Sequence, residues 1–213
     1  MLQQIIDGGP LMLPLLLCSL VSLAVVYDRW MAFRANRRVD TRSLRAKVLA
    51  HLRNDNVRAA IAECEAARGP LPSVLLAGLR SYQQLRAKSE RSETMRMVVT
   101  QVMEDYAAQA MGMVNKRMDF LTTIASAAPL LGMTGTVTGM IGSFSGLQAD
   151  GMAGSGGEVA AGIAEALITT AAGLLIALSA VIPQSLFNRW SDEIELEIEE
   201  SATELVEHIL VHH

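Results

Sequence analysis

The sequence predicts an all-α, polytopic membrane protein with three transmembrane helices, of which the second and third are long and extend into a helical cytoplasmic domain. Hydrophobic residues make up 51% of the 213 residues and the mean hydropathy is +0.30, which is typical of a membrane protein with a substantial aqueous part. Three long apolar runs interrupt the chain. Nearly all the basic residues lie in the segment between the first two runs.

The first predicted transmembrane helix covers residues 10–27, after a short N-terminal stretch at 1–9 that carries Asp7 and no base. Pro10 to Tyr27 is uncharged and is just long enough to cross a hydrocarbon core of ~30 Å. A secretory signal has basic residues before the apolar run and a small-residue cleavage site after it, and neither occurs here. We therefore expect this segment to remain as an anchor.

The distribution of basic residues predicts the orientation. Residues 28–117 hold seventeen of the eighteen Lys and Arg residues together with nine acids, a net charge of +8, and the remaining base is Arg189. By the positive-inside rule this segment is cytoplasmic. The N-terminus and the loop at 148–158 then face the periplasm, and the C-terminus is cytoplasmic.

The cytoplasmic segment has the punctuation of a helical domain. Asn54-Asp55-Asn56 predicts a turn, 57–68 a short helix, and Gly69-Pro70-Leu71-Pro72 a break. Ser73 is then expected to cap a helix over 74–86. From Ser92 no proline occurs before Pro129, which predicts one long helix that continues into the second span.

The second transmembrane helix, 118–147, carries a stripe of small residues at alternating intervals of three and four. A helix with so much glycine loses about 1 kcal/mol per glycine relative to alanine in water. In a bilayer, small residues let a neighbouring helix approach closely, and the 3.5-residue period predicts a left-handed crossing. The stripe comprises Ala125, Ala128, Gly132, Gly135, Gly139, Gly142 and Gly146.

Thr136 lies on a second stripe of the same helix. Its hydroxyl can return to a carbonyl of the preceding turn and still offer an acceptor to water. Two interpretations follow: Thr136 bonds only its own backbone, or it lines a polar pathway. Periodicity does not decide between them.

The third transmembrane helix, 159–187, contains one ionisable residue, Glu165, about 9 Å inside its start. An intramembrane carboxyl indicates a polar pathway or a pairing partner. The alternative is that Glu165 only reaches the outer headgroups or binds the backbone of a neighbouring helix. On an ideal helix Thr169 lies about 40° round from Glu165 and Thr170 about 140°. Small residues recur here too, including Gly173 and Ala177.

The C-terminal segment, 188–213, is predicted to be a cytoplasmic acidic amphipathic helix. Between Asp192 and Glu207 it has eight acids and no base. Such a helix would repel itself in isolation, so we expect it to lie on the basic cytoplasmic domain through one apolar face. That face comprises Ile194, Ile198, Leu205 and Ile209.

The sequence gives no indication of an enzyme, a cofactor or a nucleic-acid site. Cys18 and Cys64 have no metal-ligand spacing, and the histidines at 208, 212 and 213 are expected to be solvated rather than to bind a metal. Neither a nucleophile–base arrangement nor a phosphate-binding or dinucleotide-binding motif occurs. The positive charge of the cytoplasmic segment is explained by topology.

Two stretches resemble the MotA/TolQ/ExbB family of proton-driven inner-membrane stators, and most closely its ExbB and TolQ branch. They are Ala-Pro-Leu-Leu-Gly-Met-Thr-Gly-Thr-Val-Thr-Gly-Met at 128–140 and Gly-Ile-Ala-Glu-Ala-Leu-Ile-Thr-Thr-Ala-Ala-Gly-Leu at 162–174. The resemblance implies that Thr136 and Thr170 match the family's lumen threonines and Glu165 its third-segment glutamate. Ala161 stands where the family commonly has proline.

The resemblance also implies partners and a location. It implies a homopentamer in the bacterial inner membrane, in contact with lipid, around the single-span helices of an ExbD-like or TolR-like protein. An aspartate on that partner would carry the proton, and the assembly would move a TonB-like or TolA-like protein. A MotA-like rotary stator is the nearest alternative, and a passive scaffold or small-solute transporter belongs to a different class.

The predicted site residues fall into two groups. Thr136, Thr170, Glu165 and Thr169 are expected to line the proton pathway. The expected helix-packing residues are Gly132, Gly135, Gly139, Gly142, Gly173 and Ala177.

Overall fold

The computed structural model describes residues 9–36, 40–88, 91–149 and 156–211. The regular elements of these residues are α-helices throughout: α1 (Met12–Asn36), α2 (Thr41–Arg53), α3 (Val57–Ala66), α4 (Pro70–Ala87), α5 (Ser92–Asn115), α6 (Met118–Ala149) and α7 (Gly156–Val211). The predicted N-terminal stretch, apart from Gly9, and most of the predicted loop at 148–158 lie outside the described residues, as do His212 and His213.

Three stretches of the described chain are long and apolar enough to cross a membrane. They lie within Met12–Arg53, Met118–Ser145 and Val159–Ile209. The prediction of an all-α protein with three transmembrane helices is therefore confirmed. Helix α7 contains 56 residues and is about 84 Å long at 1.5 Å per residue, so the third span does continue far beyond a bilayer.

The chain divides into two compact units. The first contains Arg117–Leu186 together with the chain up to Arg29, and the second contains Trp30–Lys116 together with the chain from Phe187 onward. Helix α7 contributes its first part to the first unit and its remainder to the second. The residues of greatest interest for function all lie in the first unit.

Small side chains dominate the interior of the first unit where α6 and α7 meet. Ala128, Ala166 and Ala180 are almost completely buried, whereas larger residues such as Leu15 of α1 and Leu121 of α6 fill the wider spaces. Exposed leucines, valines and methionines cover the outside of the same helices. An apolar exterior over a small-residue interior is the pattern expected where lipid is the solvent.

The predicted continuous helix from Ser92 to Pro129 is wrong, because the chain breaks between α5 and α6. Lys116 has non-helical backbone angles, with φ of −51° and ψ of 131°, and Arg117 has a positive φ of 72°, so one helix ends before the next begins. The Arg117 guanidinium pairs with the carboxylate of Asp28 on α1, at 3.1 Å. This long-range ion pair lies at the helix break, where the sequence has neither a proline nor a glycine that would have predicted it.

The turn at 54–56 is confirmed, but the start of α4 differs from the prediction. Asn56 caps α3 by accepting a hydrogen bond from the Ala59 amide. Helix α4 begins at Pro70 rather than at Val74, because proline fits the first position of a helix, where its missing N–H is not needed. The Ser73 hydroxyl instead donates to the Pro70 carbonyl, at 2.6 Å.

The core of the second unit is close-packed around Gly78 of α4. A β-carbon built on Gly78 would lie 2.5 Å from the Met103 sulfur of α5 and 3.3 Å from Leu205 of α7. Leu75, Leu79 and further residues of α4 and α5 are also fully buried. The absence of a side chain at position 78 therefore allows three helices to meet at one point.

The acidic end of α7 packs on the second unit through the predicted apolar face. Ile194, Ile198, Leu205 and Ile209 are all buried, which confirms this face. Arg45 of α2 pairs with Glu200 at 2.9 Å and with Glu204 at 3.2 Å. Basic and acidic segments thus offset each other's charge within this unit.

An aromatic cluster joins α1 and α7 within the second unit, and the sequence analysis did not anticipate it. Phe33 stacks on Phe187 with ring centroids 5.5 Å apart, and Trp190 contacts Phe33, Phe187 and Trp30. Aromatic pairs of this geometry contribute about 0.5–1.5 kcal/mol beyond their buried area. The cluster lies just after the apolar parts of both helices.

Candidate functional site

The predicted glycine stripe forms a seam along which α6 and α7 touch through their backbones. A β-carbon added to Gly173 would lie 2.6 Å from the Ala128 carbonyl oxygen, and one added to Gly132 would lie 3.1 Å from the Thr170 Cα. One added to Gly139 would lie 3.1 Å from the Gly162 carbonyl oxygen. These glycines therefore pack two helices of the same chain against each other.

Two adjacent threonines of α7 face this seam and do different things there. The Thr170 hydroxyl donates across the seam to the Gly132 carbonyl of α6, at 2.9 Å. The Thr169 hydroxyl donates to the Glu165 carbonyl of its own helix, also at 2.9 Å, while its methyl group lies against Gly135. Thr169 is 1% exposed, so its side chain offers no surface outside the helix pair.

Thr136 lies outside the seam, half-buried on α6. Its hydroxyl donates to the Met133 carbonyl of the preceding turn, at 2.7 Å. This bond uses the donor and leaves the hydroxyl oxygen able to accept a hydrogen bond from another group. Thr134, two residues earlier, is exposed and makes the same kind of bond, to the Leu130 carbonyl at 2.8 Å.

Glu165 lies in a pocket of about 750 Å³ between the ends of α6 and α7 that border the 148–158 loop. The wall combines this carboxyl with two hydroxyls, glycines and alanines. One side of the carboxyl lies against Gly9. The lining residues are Pro10, Thr138, Gly139, Gly142, Ser143, Ala161, Gly162, Ala164, Glu165 and Ile168.

The remaining predicted packing residues occupy different surroundings. Gly142 lines the pocket, and a β-carbon built on it would meet no atom within 4 Å among the described residues. Ala177 is 7% exposed and lies one turn beyond Gly173 on α7. The structure thus brings Gly132, Gly135, Gly139 and Gly173 together at the seam and leaves Gly142 in open space.

Two residues at this site, Gly162 and Pro10, were missed by sequence reasoning. Gly162 packs against the Ser143 hydroxyl and Gly139, so it continues the seam toward the pocket. Pro10 closes the pocket from the beginning of α1. The sequence could have indicated Gly162, because it precedes Glu165 by three residues on the same helix. Nothing in the sequence indicated that Pro10 would line this pocket.

The chemistry available here is proton or cation handling by oxygen atoms. A carboxyl, several hydroxyls and backbone carbonyls lie within apolar helices, and the described residues contain no group of three or more His, Cys, Asp and Glu side chains that would hold a metal. Intramembrane carboxyls of this kind mark polar pathways in general. The site therefore offers oxygen atoms that can bind protons or accept hydrogen bonds from water.

Known proteins are similar to this chain over most of its length. A model of the MotA/TolQ/ExbB proton channel family matches residues 66–200, which include α4, α5, α6 and most of α7. The chain is 36% identical over 186 residues to a Synechocystis sp. protein described as ExbB-like 1, a match that covers 85% of this chain and 68% of that protein.

Two further relatives are named ExbB and TolQ. The biopolymer transport protein ExbB of Neisseria meningitidis is 24% identical over 204 residues, covering 93% of this chain and 92% of that protein. The Tol-Pal system protein TolQ of Pseudomonas aeruginosa is 46% identical over 79 residues, 37% of this chain and 32% of that protein. Because the family match covers more than half of the residues, this chain belongs to the MotA/TolQ/ExbB proton channel family, in its ExbB/TolQ branch.

Proposed function

We propose that the chain is an ExbB/TolQ-like stator subunit of the bacterial inner membrane, which couples the proton-motive force to work on a periplasm-spanning protein. The observation that carries the proposal is the seam between α6 and α7 inside the family-matched region, since it builds one rigid wall that displays Thr136 and the Glu165 pocket. The driven protein in this proposal is TonB-like, and the work supports outer-membrane transport.

The proposed assembly is a homopentamer in which five such walls surround the single-span helices of an ExbD-like or TolR-like partner. Two backbone-packed helices make a wall that holds its shape, because small residues leave little room for side-chain rearrangement. The exposed apolar side chains of α6, among them Met140 and Phe144, supply surface for lipid or for a partner helix. Membrane lipid is thus a partner in the same proposal.

In this proposal the threonines serve the proton without carrying it. A hydroxyl does not change charge at accessible pH, but it accepts and donates hydrogen bonds and so holds water beside a partner carboxylate. Thr136 keeps an acceptor for this role, and Thr170 does so while its donor is held by Gly132. The proton itself would be carried by an aspartate of the partner.

Glu165 and Thr169 have separate proposed roles. Glu165 supplies a charge or a proton-binding group at the end of the pathway that faces the 148–158 loop. Thr169 is buried in the seam, so its contribution is to hold the turn that carries Glu165. The pathway role of Thr169 is thereby indirect.

A TolQ-type role in cell-envelope maintenance is the second candidate. It is favoured by the 46% identity to the TolQ protein of Pseudomonas aeruginosa, although that match covers only 37% of this chain. The two candidates differ in the driven protein, TolA-like or TonB-like. Co-purification of the chain from its own host, followed by identification of the single-span partner, separates them.

The mechanism is tested with Thr136→Val, Thr136→Ser and Glu165→Gln in cells that also express the partner. Valine removes the hydroxyl and keeps the shape, so we expect Thr136→Val to abolish most proton-motive-force-dependent work. Serine keeps the hydroxyl and should preserve it. Loss of work in Glu165→Gln at normal assembly would show that charge or protonation at this position matters.

Thr134→Val is the matched control. Thr134 and Thr136 both donate to their own helix, but they point about 160° apart around it. If only the bond to the backbone matters, the two valine variants will behave alike. Equal work by Thr136→Val and Thr134→Val at equal assembly would reject the pathway role of Thr136.

A further inference from the structure

Helix α1 has a buried face and an exposed face. On the buried face, Leu15, Ser22 and Phe33 are almost completely covered by protein. The residues of the exposed face recur at intervals of three and four, the spacing of one side of a helix. They are Leu16, Leu20, Leu23, Tyr27, Trp30 and Arg34.

The exposed face changes from apolar to aromatic to cationic along the helix. Leucines occupy it as far as Leu23, Tyr27 and Trp30 follow, and Arg34 comes last. Lipid bilayers favour this order, because acyl chains contact leucine, whereas Tyr, Trp and Arg concentrate at the level of the headgroups. Another protein chain on this face would not require the order, so the order favours lipid as its neighbour.

Arg34 differs from the nearby Arg29 in its surroundings. Arg29 is buried, and its guanidinium donates to the Asp28 carboxylate at 2.6 Å. Arg34 is exposed and makes no ion pair with a carboxylate in the part of the chain that the structure describes. A guanidinium can donate two parallel hydrogen bonds to a phosphate, so Arg34 has its donors available for a lipid headgroup.

Trp30 is supported from the protein side. Its ring centroid lies 5.8 Å from that of Trp190, which in turn contacts Phe33 and Phe187. Trp30 and Arg34 are four residues apart on α1, so they are neighbours on its surface. The exposed face therefore presents a packed indole beside an unpaired guanidinium.

We infer that Trp30 and Arg34 bind the headgroup of an anionic phospholipid, while the leucines of the same face contact its acyl chains. The lipid phosphate accepts hydrogen bonds from the Arg34 guanidinium. An anionic lipid binds better than a zwitterionic one, because it carries no cationic group that would repel Arg34. The binding of this lipid does not depend on the proposed motor.

The site is tested by fluorescence quenching, because Trp30 and Trp190 are the two tryptophans of the chain. Trp190→Phe keeps an aromatic ring in the cluster and leaves Trp30 as the fluorophore. The full chain is reconstituted in phosphatidylcholine vesicles that contain a small fraction of either brominated phosphatidylglycerol or brominated phosphatidylcholine. One base at a membrane surface favours anionic lipid about fivefold, so we expect that enrichment of phosphatidylglycerol at Trp30 and its loss in Arg34→Gln.

Arg58→Gln is the matched control. Arg58 of α3 is also exposed and makes no ion pair with a described carboxylate, so this variant changes the net charge equally. It should keep the preference for phosphatidylglycerol. If Trp190→Phe fails to fold, as circular dichroism would reveal, the same comparison is made with both tryptophans present.

Three results would overturn the inference. Absence of quenching by both brominated lipids would mean that another protein, such as a second copy of the chain, covers this face. Equal quenching by the two lipids before Arg34 is changed would mean that the site does not select anionic lipid. An equal loss of preference in Arg58→Gln and Arg34→Gln would mean that only the overall charge attracts the lipid.

Discussion

Burial shifts the pKa of some residues in this chain, and hydrogen bonds to charged partners shift the pKa of others. Cys64 of α3 is 2% exposed, and burial raises the pKa of its thiol to about 12, with the neighbouring Glu63 and Glu65 adding to the effect. The exposed pair of Arg86 and Asp55 shows the opposite case: the carboxylate raises the pKa of the guanidinium through a hydrogen bond, yet an exposed pair contributes at most about 1 kcal/mol.

The Cys64 thiol should react slowly with maleimide in the folded protein. Only the thiolate is nucleophilic, and a pKa near 12 in place of 9.0 reduces its population at pH 8 by at least about a hundredfold. The same shift favours the folded state below pH 9, and this contribution is lost as the pH rises toward 12. The rate of Cys64 alkylation is measured by mass spectrometry in a Cys18→Ala variant, with and without denaturant. Equal rates in both conditions would contradict the burial.

Helices α6 and α7 pack against each other along the seam through backbone contacts. Thr170 donates to a carbonyl of the facing helix, and Gly173 approaches one so closely that a methyl group does not fit. The glycines of α6, spaced three and four residues apart, pack against a helix of the same chain. The same spacing would be equally compatible with contacts between subunits, so sequence periodicity alone does not assign the partner helix.

Gly173→Ala should destabilise the pair, whereas Gly142→Ala should not. The added methyl at 173 would lie 2.6 Å from the Ala128 carbonyl oxygen, and the one at 142 would meet no described atom within 4 Å. Alanine is intrinsically favoured over glycine in a helix by about 1 kcal/mol, so Gly142→Ala is expected to be neutral or stabilising. Thermal unfolding in detergent gives the comparison. A midpoint that falls equally in both variants would show that the seam contact is not the cause.

For the whole molecule, the family places the chain among multi-pass membrane proteins of the ExbB/TolQ type, and three apolar stretches agree with that placement. Within the first unit the beginning of α1 contacts Glu165 near the start of α7. The beginning of α1 and the beginning of α7 must therefore lie on the same side of a bilayer. The concentration of bases between 28 and 117 predicts which side that is.

The orientation is tested by cysteine accessibility in intact cells. A thiol introduced by Ser155→Cys should be labelled by an impermeant reagent from outside the inner membrane, and one introduced by Ser43→Cys should be labelled only after the membrane is broken. Native Cys18 and Cys64 are replaced by alanine beforehand. Reversed labelling would invert the proposed topology and place the Glu165 pocket on the cytoplasmic side.

Features that depend on composition and local pattern can be predicted from the order of the amino acids. Long uncharged runs predict spans because a bilayer core excludes charge, and the apolar face of Ile194, Ile198, Leu205 and Ile209 follows from helical periodicity. The turn before α3 follows from the preference of Asn56 for the capping position. Each of these depends on neighbours in the chain, which the sequence displays directly.

Features that depend on contacts between distant residues become visible only in the folded chain. The break at Arg117 accompanies an ion pair with Asp28, eighty-nine positions earlier in the chain. The glycine stripe of α6 packs against α7, and Gly9 contacts the Glu165 carboxyl. Helical geometry specifies which residues share a face, but the contact that a face makes is set by how separate helices pack together.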